Sequence, residues 1–225
     1  MRHDHPADPS EMLTQQFWDD RYGSADAIWS GNPNPLLVEY ASKLHPGTAL
    51  DVGSGEGADA IWLASRGWTV LGIDISAVAL QRAADLAAIA GQQIADRIDW
   101  RQMDLLAGET STDAVSGPLE AQYDLVSAQF MHLPRVDREL LHQRLAAAVR
   151  PGGALLIVGH HPADLETTMG RPSLADFLFT PEQVAAQLDR SEWSVVTAAP
   201  ERQALDPDGV MITITDAVLY ATRRR

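Results

Sequence analysis

The run Ala49-Leu50-Asp51-Val52-Gly53-Ser54-Gly55-Glu56-Gly57 has the residue types needed to hold a nucleotide-like ligand. Apolar residues lead into an acid, and glycines then recur at alternate positions. This reads as a strand ending in a carboxylate and opening into a loop with few side chains. Gly53 and Gly55 allow a sharp turn and let a ligand lie against the backbone. A helix starting near Gly57 turns its free N–H groups toward the same loop. Gly53-Ser54-Gly55-Glu56-Gly57-Ala58 also fits the loose dinucleotide pattern, so the glycines alone do not choose the ligand. A tight strand-to-helix turn without any ligand is equally compatible.

The downstream carboxylates narrow the choice. A second apolar run, Thr69 to Ile73, ends in Asp74, nineteen positions after Gly55. At the tip of a neighbouring strand, such a carboxylate can accept hydrogen bonds from both hydroxyls of a ribose. Ser76 is then the N-cap of a helix running to about Ala90. A third strand, about Ile98 to Met103, ends in Asp104. A pyrophosphate would find this acidic rim poor. A ligand with a ribose, an adenine amine and a cationic head would find it good.

These pieces resemble the class I S-adenosylmethionine-dependent methyltransferases. The first motif is Asp51 to Gly57 and the second is Gly72-Ile73-Asp74-Ile75-Ser76. Asp104 follows, then Tyr123-Asp124-Leu125-Val126-Ser127, then Arg150-Pro151-Gly152-Gly153 before a fifth strand. The resemblance covers about Thr48 to His160. It implies a doubly wound α/β fold with a seven-stranded, mostly parallel sheet of order 3-2-1-4-5-7-6, the last strand antiparallel. It also implies that Asp74 holds the ribose, Asp104 the adenine amine, and the glycine loop the methionine part of S-adenosylmethionine. The expected cofactor contacts are Asp51, Gly53, Ser54 and Gly55 in the loop, and Asp74 and Ile75 after the second strand. Met103, Asp104 and Leu105 follow the third strand, and Gln129 the fourth.

The segment before the first strand adds aromatic candidates. Trp18-Asp19-Asp20-Arg21-Tyr22 and Trp29-Ser30-Gly31-Asn32-Pro33-Asn34 resemble the thiopurine and tellurite-resistance branch, in which a helix and loop cover the site. Trp18 and Trp29 either pack this cover on the sheet or close over the cofactor with an aromatic face near its sulfonium. Such a lid should be more mobile than the sheet. Thr168 to Phe179, with Met169, Phe177 and Phe179, is either a second pocket wall or a packed crossover loop.

Methyl transfer asks little of side chains, because placing the nucleophile in line supplies much of the rate. The candidate catalytic residues are His132 after the fourth strand and His160 and His161 at the end of the fifth, each with helix capping or packing as its plain alternative. With Asp164 they include metal-ligating types, but their spacing matches no metal motif, and no metal is expected.

The remaining elements must position this site. Met1 to Ser10 reads as a disordered arm, which leaves His3 and His5 without a role. Residues 11–225 read as one methyltransferase domain, with a cover over 11–46 and the Rossmann-like core over 47–225. A helix is expected over Glu11 to Tyr22. Asn34 and Pro35 start another, running to about Leu44. The Ser/Thr/Gly-rich stretch from Gly108 to Gln122 reads as loop. Thr180 and Gln183 form a capping box for a helix to about Leu188. Trp193 to Ala199 and Met211 to Thr222 read as an antiparallel strand pair joined through Asp206-Pro207-Asp208-Gly209.

Composition excludes several classes. A chain of 225 residues, 45% hydrophobic and 21% charged, is globular and too short for two ordinary domains. It has no apolar run of membrane-spanning length and a polar N-terminus, so a cytoplasmic protein without membrane partners is expected. The absence of cysteine excludes disulfides and thiolate chemistry, and argues against the arsenite methyltransferases, which resemble this fold. A net charge of −14 repels nucleic acid, and the only basic run is the terminal Arg223-Arg224-Arg225. DNA amine methyltransferases carry an Asn/Asp-Pro-Pro-aromatic motif where this chain has Gln129-Phe130-Met131-His132. The expected partner is a small, fairly apolar methyl acceptor, methylated at sulfur or another soft heteroatom. A nicotinamide-dependent oxidoreductase is the alternative, disfavoured by the acidic strand ends and the terminal strand pair. A module that binds the cofactor without turnover is a third reading.

Overall fold

The computed structural model describes residues 12–25, 27–106, 122–131, 133–169 and 172–225. The expected N-terminal arm, nearly all of the loop assigned to 108–122, and the candidate His132 lie outside the described residues.

Four helix starts follow from a local satisfaction of backbone donors by a capping side chain. Helix α1 (Gln15–Gly23) is capped by Thr14, whose hydroxyl accepts the Phe17 amide. Helix α2 (Pro35–Ala41) has Asn34 as cap and Pro35 in its first turn. Ser76 caps α4 (Ala77–Ala90), and the Thr180–Gln183 capping box opens α7 (Pro181–Ala185). The helices α3 (Ala58–Ser65), α5 (Gln92–Ala95) and α6 (Arg135–Ala148) complete the set among the described residues. Helices α1, α2 and α7 are each shorter than expected. Met12 and Leu13 form a turn ahead of α1, and Met12 is buried beside Phe177 instead of extending the helix.

Strands β1 (Thr48–Val52), β2 (Thr69–Asp74), β3 (Ile98–Gln102), β4 (Tyr123–Gln129) and β5 (Val149–His160) are parallel. Beyond them come β6 (Trp193–Ala198), β7 (Glu201–Leu205) and β8 (Met211–Arg223), all joined antiparallel through β8. The order is β3-β2-β1-β4-β5-β8-β6, with β7 pairing only to β8. The expected order holds, with β8 in the place of the seventh strand. Strand β7 corrects the expected count from seven strands to eight. Its sequence, Glu201-Arg202-Gln203-Ala204-Leu205, has no β-branched residue. It is extended because the long β8 offers it a free edge.

The core lies on both sheet faces, as a parallel sheet requires. Along β5, Leu155 and Ile157 join one buried cluster, while Leu156 and Val158 join the other. Truncating such a leucine to alanine typically costs about 2–5 kcal/mol. No helix among the described residues is long and apolar enough to cross a membrane.

Candidate active site

The crevice forms where β1 ends and the connections on either side diverge. Gly53, Gly55 and Gly57 have φ of +67°, +52° and +82°, a backbone only glycine adopts without strain. The Gly53 and Ser54 amides donate to the Ile73 carbonyl at 2.8 and 3.0 Å, stitching the loop to β2. The Gly55 amide donates to Asp74 Oδ2 at 2.8 Å, and the Ser76 amide to Asp74 Oδ1 at 2.9 Å. A Cβ at Gly53 would overlap Met131 Sδ, and one at Gly55 would lie 2.8 Å from the Tyr22 hydroxyl. The loop is therefore a backbone cradle with Met131 against one end and Tyr22 over the other.

Three carboxylates surround it. Asp51 and Asp74 are buried, and Asp59 stands in the first turn of α3. Burial pushes the Asp51 carboxyl well above its ordinary value, and the charges of Asp59 and Asp74 add to this. Burial also pushes Asp59 up to about 6, against the Asn34 amide that it accepts at 2.6 Å. Asp74 is raised by burial and partly relieved by its hydrogen bonds with Ser76, Gly55 and Ile75. Asp51 Oδ2 and Ser54 Oγ are buried without a hydrogen-bond partner among the described residues. A cradle floored by glycine backbone, orphaned acceptors and unneutralised carboxylates fit a ligand bringing positive charge and hydroxyl donors.

At the third strand, Met103 and Leu105 are buried and Asp104 is exposed. The Met103 amide donates to the Asp74 carbonyl at 3.0 Å, which places this strand end beside the second. Asp104 Oδ1 accepts the Leu106 amide at 2.8 Å, and the Ile75 carbonyl accepts Gln102 Nε2 at 3.1 Å.

The cover is fastened by Trp29 and Asn34, which the sequence marked out, together with Tyr22, Glu56, Arg82 and Asp19, to which it gave no such role. Trp29 Nε1 donates to the Tyr22 hydroxyl at 3.1 Å, and Tyr22 is buried although Trp29 remains 42% exposed. Burial and the nearby Asp74 charge push the Tyr22 phenol up, so it keeps its proton. Glu56 accepts the amides of Ile28 and Trp29 and pairs with Arg82 Nη1 at 3.0 Å. Arg82 also donates to the Ala25 carbonyl. Asp19 Oδ1 accepts from Ser76 Oγ at 2.6 Å, fixing α1 to the start of α4. Asn34 Nδ2 donates to Gln129 Oε1 at 3.1 Å and joins α2 to the end of β4. Tyr22 had a signal: it stands four residues after Trp18, on the same helix face. Trp18 itself donates its indole N–H to the Met12 carbonyl at 2.8 Å and packs with Phe17 and Phe177. It joins the cover to the Phe177 wall, while Trp29 and Tyr22 approach the loop.

On the other side, Phe130 follows Gln129 with φ of +52°, the one positive value at a non-glycine among the described residues. Its ring lies 4.6 Å from that of His160. His161 Nδ1 accepts the Ala163 amide at 3.1 Å and caps the 3₁₀ turn Pro162–Glu166. Asp164 accepts the Thr215 amide at 2.8 Å. The structure thus brings His160 to the end of β5 near Phe130 and engages His161 in a cap. Phe179 packs beneath Gly159, where a Cβ would overlap its ring.

Fold and crevice together define a Rossmann-like cofactor-binding enzyme, and comparison with known proteins sharpens this. The chain is 27% identical over 184 residues to the 2-heptyl-1-hydroxyquinolin-4(1H)-one methyltransferase of Mycobacteroides abscessus, covering 80% of this chain and 74% of that one. It is 25% identical over 158 residues to the thiopurine S-methyltransferase of Vibrio atlanticus, covering 65% and 70% respectively. A solved S-adenosylmethionine-dependent methyltransferase from Anabaena variabilis superposes with a TM-score of 0.69 over 97% of both chains, at 19% identity, a likeness of fold. The thiopurine S-methyltransferase family profile matches residues 13–198, and the chain belongs to this family. It is an enzyme, a methyltransferase whose cofactor is S-adenosylmethionine. None of these matches supports the nicotinamide alternative.

Proposed function

We propose that the protein methylates a small, fairly apolar molecule at sulfur or another soft heteroatom. The observation that carries the cofactor's placement is the buried, unpartnered Asp51 Oδ2 beside the glycine loop. In this reading Asp51, Gly53, Ser54 and Gly55 hold the methionine end. Asp74 uses its remaining lone pairs on the ribose, Asp104 accepts the adenine amine, and Ile75, Met103 and Leu105 line the adenine. Gln129 and Trp29 border the methyl, with Tyr22 donating its hydroxyl proton into the crevice.

When bound, S-adenosylmethionine supplies a methyl group activated on a sulfonium, so the acceptor's electron pair bonds to carbon as the old bond's pair leaves with a neutral thioether. The residues of the chain orient the partners and exclude water. Tyr22 and Trp29 close the cover, and Met131 and Phe130 present an apolar wall. A thiol ionises near neutral pH and needs no strong base. His160 orients the acceptor or takes its proton to solvent, and the His161 cap leaves it a supporting role. The name of the matched family and the thiopurine S-methyltransferase of Vibrio atlanticus favour sulfur. The net charge of −14 favours a small acceptor over nucleic acid.

A labelled-methyl screen over thiols, phenols and amines tests the reading. Transfer to thiols is expected to exceed transfer to matched phenols and amines. Transfer only to amines or to nucleic acid, with cofactor binding intact, would overturn it.

A further inference from the structure

Strand β7 brings a cation to the rim of the crevice. His160 at the end of β5 is in register with Asp216 of β8, and the preceding half of β8, Met211 to Thr215, pairs with β7 instead. The β7–β8 ribbon therefore runs on past the carboxyl end of β5, the end at which α/β sheets of this kind place their ligands. It begins beyond residue 198, where the family match stops.

On this ribbon Arg202 donates through Nε to Asp216 Oδ2 at 2.7 Å, and Asp216 is buried. The pair fixes one edge of the guanidinium. Its two terminal nitrogens have no hydrogen-bond partner among the described residues, and the side chain is 45% exposed. The guanidinium carbon lies 6.0 Å from the centre of the Phe130 ring, the same ring that meets His160. Phe130 is held at φ of +52°, a conformation that costs an aromatic residue about 1–3 kcal/mol and is retained where surrounding structure demands it. Its amide donates to the Val158 carbonyl at 2.8 Å, which fixes that backbone.

We infer that Arg202, on the wall it forms with Phe130 and His160, selects methyl acceptors that carry an anionic group such as a carboxylate. This rests on the proposed methyl transfer insofar as the acceptor enters at the ends of β4 and β5. The two rings supply flat faces for an aromatic acceptor. The guanidinium fork supplies paired donors with the geometry of a carboxylate, which a lysine would not reproduce. In a chain of net charge −14, an anionic acceptor approaching three clustered aspartates needs a local cation, and Arg202 stands at that rim. The chain of contacts runs from Gly53 at the methionine end through Met131 to Phe130, against whose ring both His160 and Arg202 lie. It places the acceptor's nucleophile toward Met131 and its anion toward the ribbon.

The plain alternative is that Arg202 only neutralises Asp216. Binding and kinetics with matched probes separate the two. The enzyme loaded with S-adenosylhomocysteine is titrated with 2-mercaptobenzoate and with its neutral methyl ester, and both are offered as acceptors with S-adenosylmethionine. The expected result is a preference of about tenfold or more for the anion in Kd and KM. Arg202→Gln should abolish that preference while leaving S-adenosylhomocysteine affinity unchanged. Arg202→Lys, which keeps the charge beside Asp216, should retain only part of it and guards against a folding defect in the first variant. An equal or greater affinity of the wild type for the ester, or a preference that survives Arg202→Gln, would overturn the inference. Charge-selective binding without methylation would uphold this wall and contradict the proposed reaction. Methylation of thiols without charge preference would do the reverse.

Discussion

Asp74 grips the loop it faces: its Oδ2 accepts the Gly55 amide at 2.8 Å while its Oδ1 accepts the Ser76 amide at 2.9 Å. One buried carboxylate thus fixes both the cradle and the start of α4, and still has lone pairs for a ribose. Replacing Asp74 with alanine should weaken S-adenosylhomocysteine binding by about ten- to a hundredfold, the worth of roughly 1.5–3 kcal/mol for hydrogen bonds to a charged group. Calorimetric titration of the folded variant checks this. Unchanged affinity would remove the ribose assignment.

The Asp51–Asp59 neighbourhood should make cofactor binding pH-dependent. Asp59 is pushed up to about 6 by burial, and Asp51 well above its ordinary value. A carboxyl raised on folding contributes stability that is full below its unfolded value and lost as pH rises through the folded one. Asp59→Asn should therefore raise the Tm of the free enzyme relative to wild type increasingly as pH climbs through 6. A cationic ligand favours the ionised carboxylates, so wild-type affinity should rise over the same interval. Scanning calorimetry from pH 5 to 8, with and without S-adenosylmethionine, reads both. A Tm difference that does not change with pH would argue against this.

The cover should depend on Glu56 more than on its tryptophans. That carboxylate takes the Ile28 and Trp29 amides and the Arg82 guanidinium. Glu56→Ala should speed amide exchange across residues 27–34 and leave exchange in β1, β4 and β5 unchanged. Trp29→Ala should lower turnover by about tenfold, since an open cover admits water. Cofactor should slow exchange over Phe17 to Asn34 in the wild type. Slow exchange there without cofactor, together with full activity in Trp29→Ala, would make the tryptophan structural only.

His142 should set part of the acid limit of the fold. It is buried on α6, edge-on to Phe179, and burial together with the Arg138 charge pushes it down to about 3. A depressed histidine stabilises the fold above its ordinary value of 6.5, and that contribution disappears as pH falls through the folded value. The span corresponds to a stability difference on the order of 5 kcal/mol. Denaturant titrations of His142→Phe should show a shallower loss of stability between pH 6.5 and 4 than wild type. Parallel curves would rule the residue out as the acid-sensitive group.

What could be read directly from the chain was chemistry satisfied over short distances. Asp51, the alternating glycines and Asp74 announce a strand end, a cradle and a second strand end. Ser76, Asn34 and Thr180 announce helix starts, because each hydroxyl or amide caps donors within three residues. Contacts made by folding were not legible. Glu56 meets Ile28 across 28 positions and Asn34 meets Gln129 across 95, and neither pair has a local signature. Strand β7 escaped notice because Glu201 to Leu205 has no strand-forming pattern of its own, and with it the Arg202–Asp216 pair was hidden. Among the histidines, residue type pointed equally to His160 and His161. Only the folded structure shows one ring beside Phe130 and the other closing a turn.

The central claim is that this crevice delivers a methyl group from S-adenosylmethionine to a small soft nucleophile. The most direct measurement is the stoichiometry of a single turnover, with excess enzyme, methyl-labelled cofactor and an aromatic thiol, followed by mass spectrometry. The account predicts one S-methylated thioether and one S-adenosylhomocysteine per cofactor consumed, with the label entirely on sulfur. Intact cofactor after prolonged incubation with a panel of thiols, in protein that binds S-adenosylhomocysteine, would contradict it.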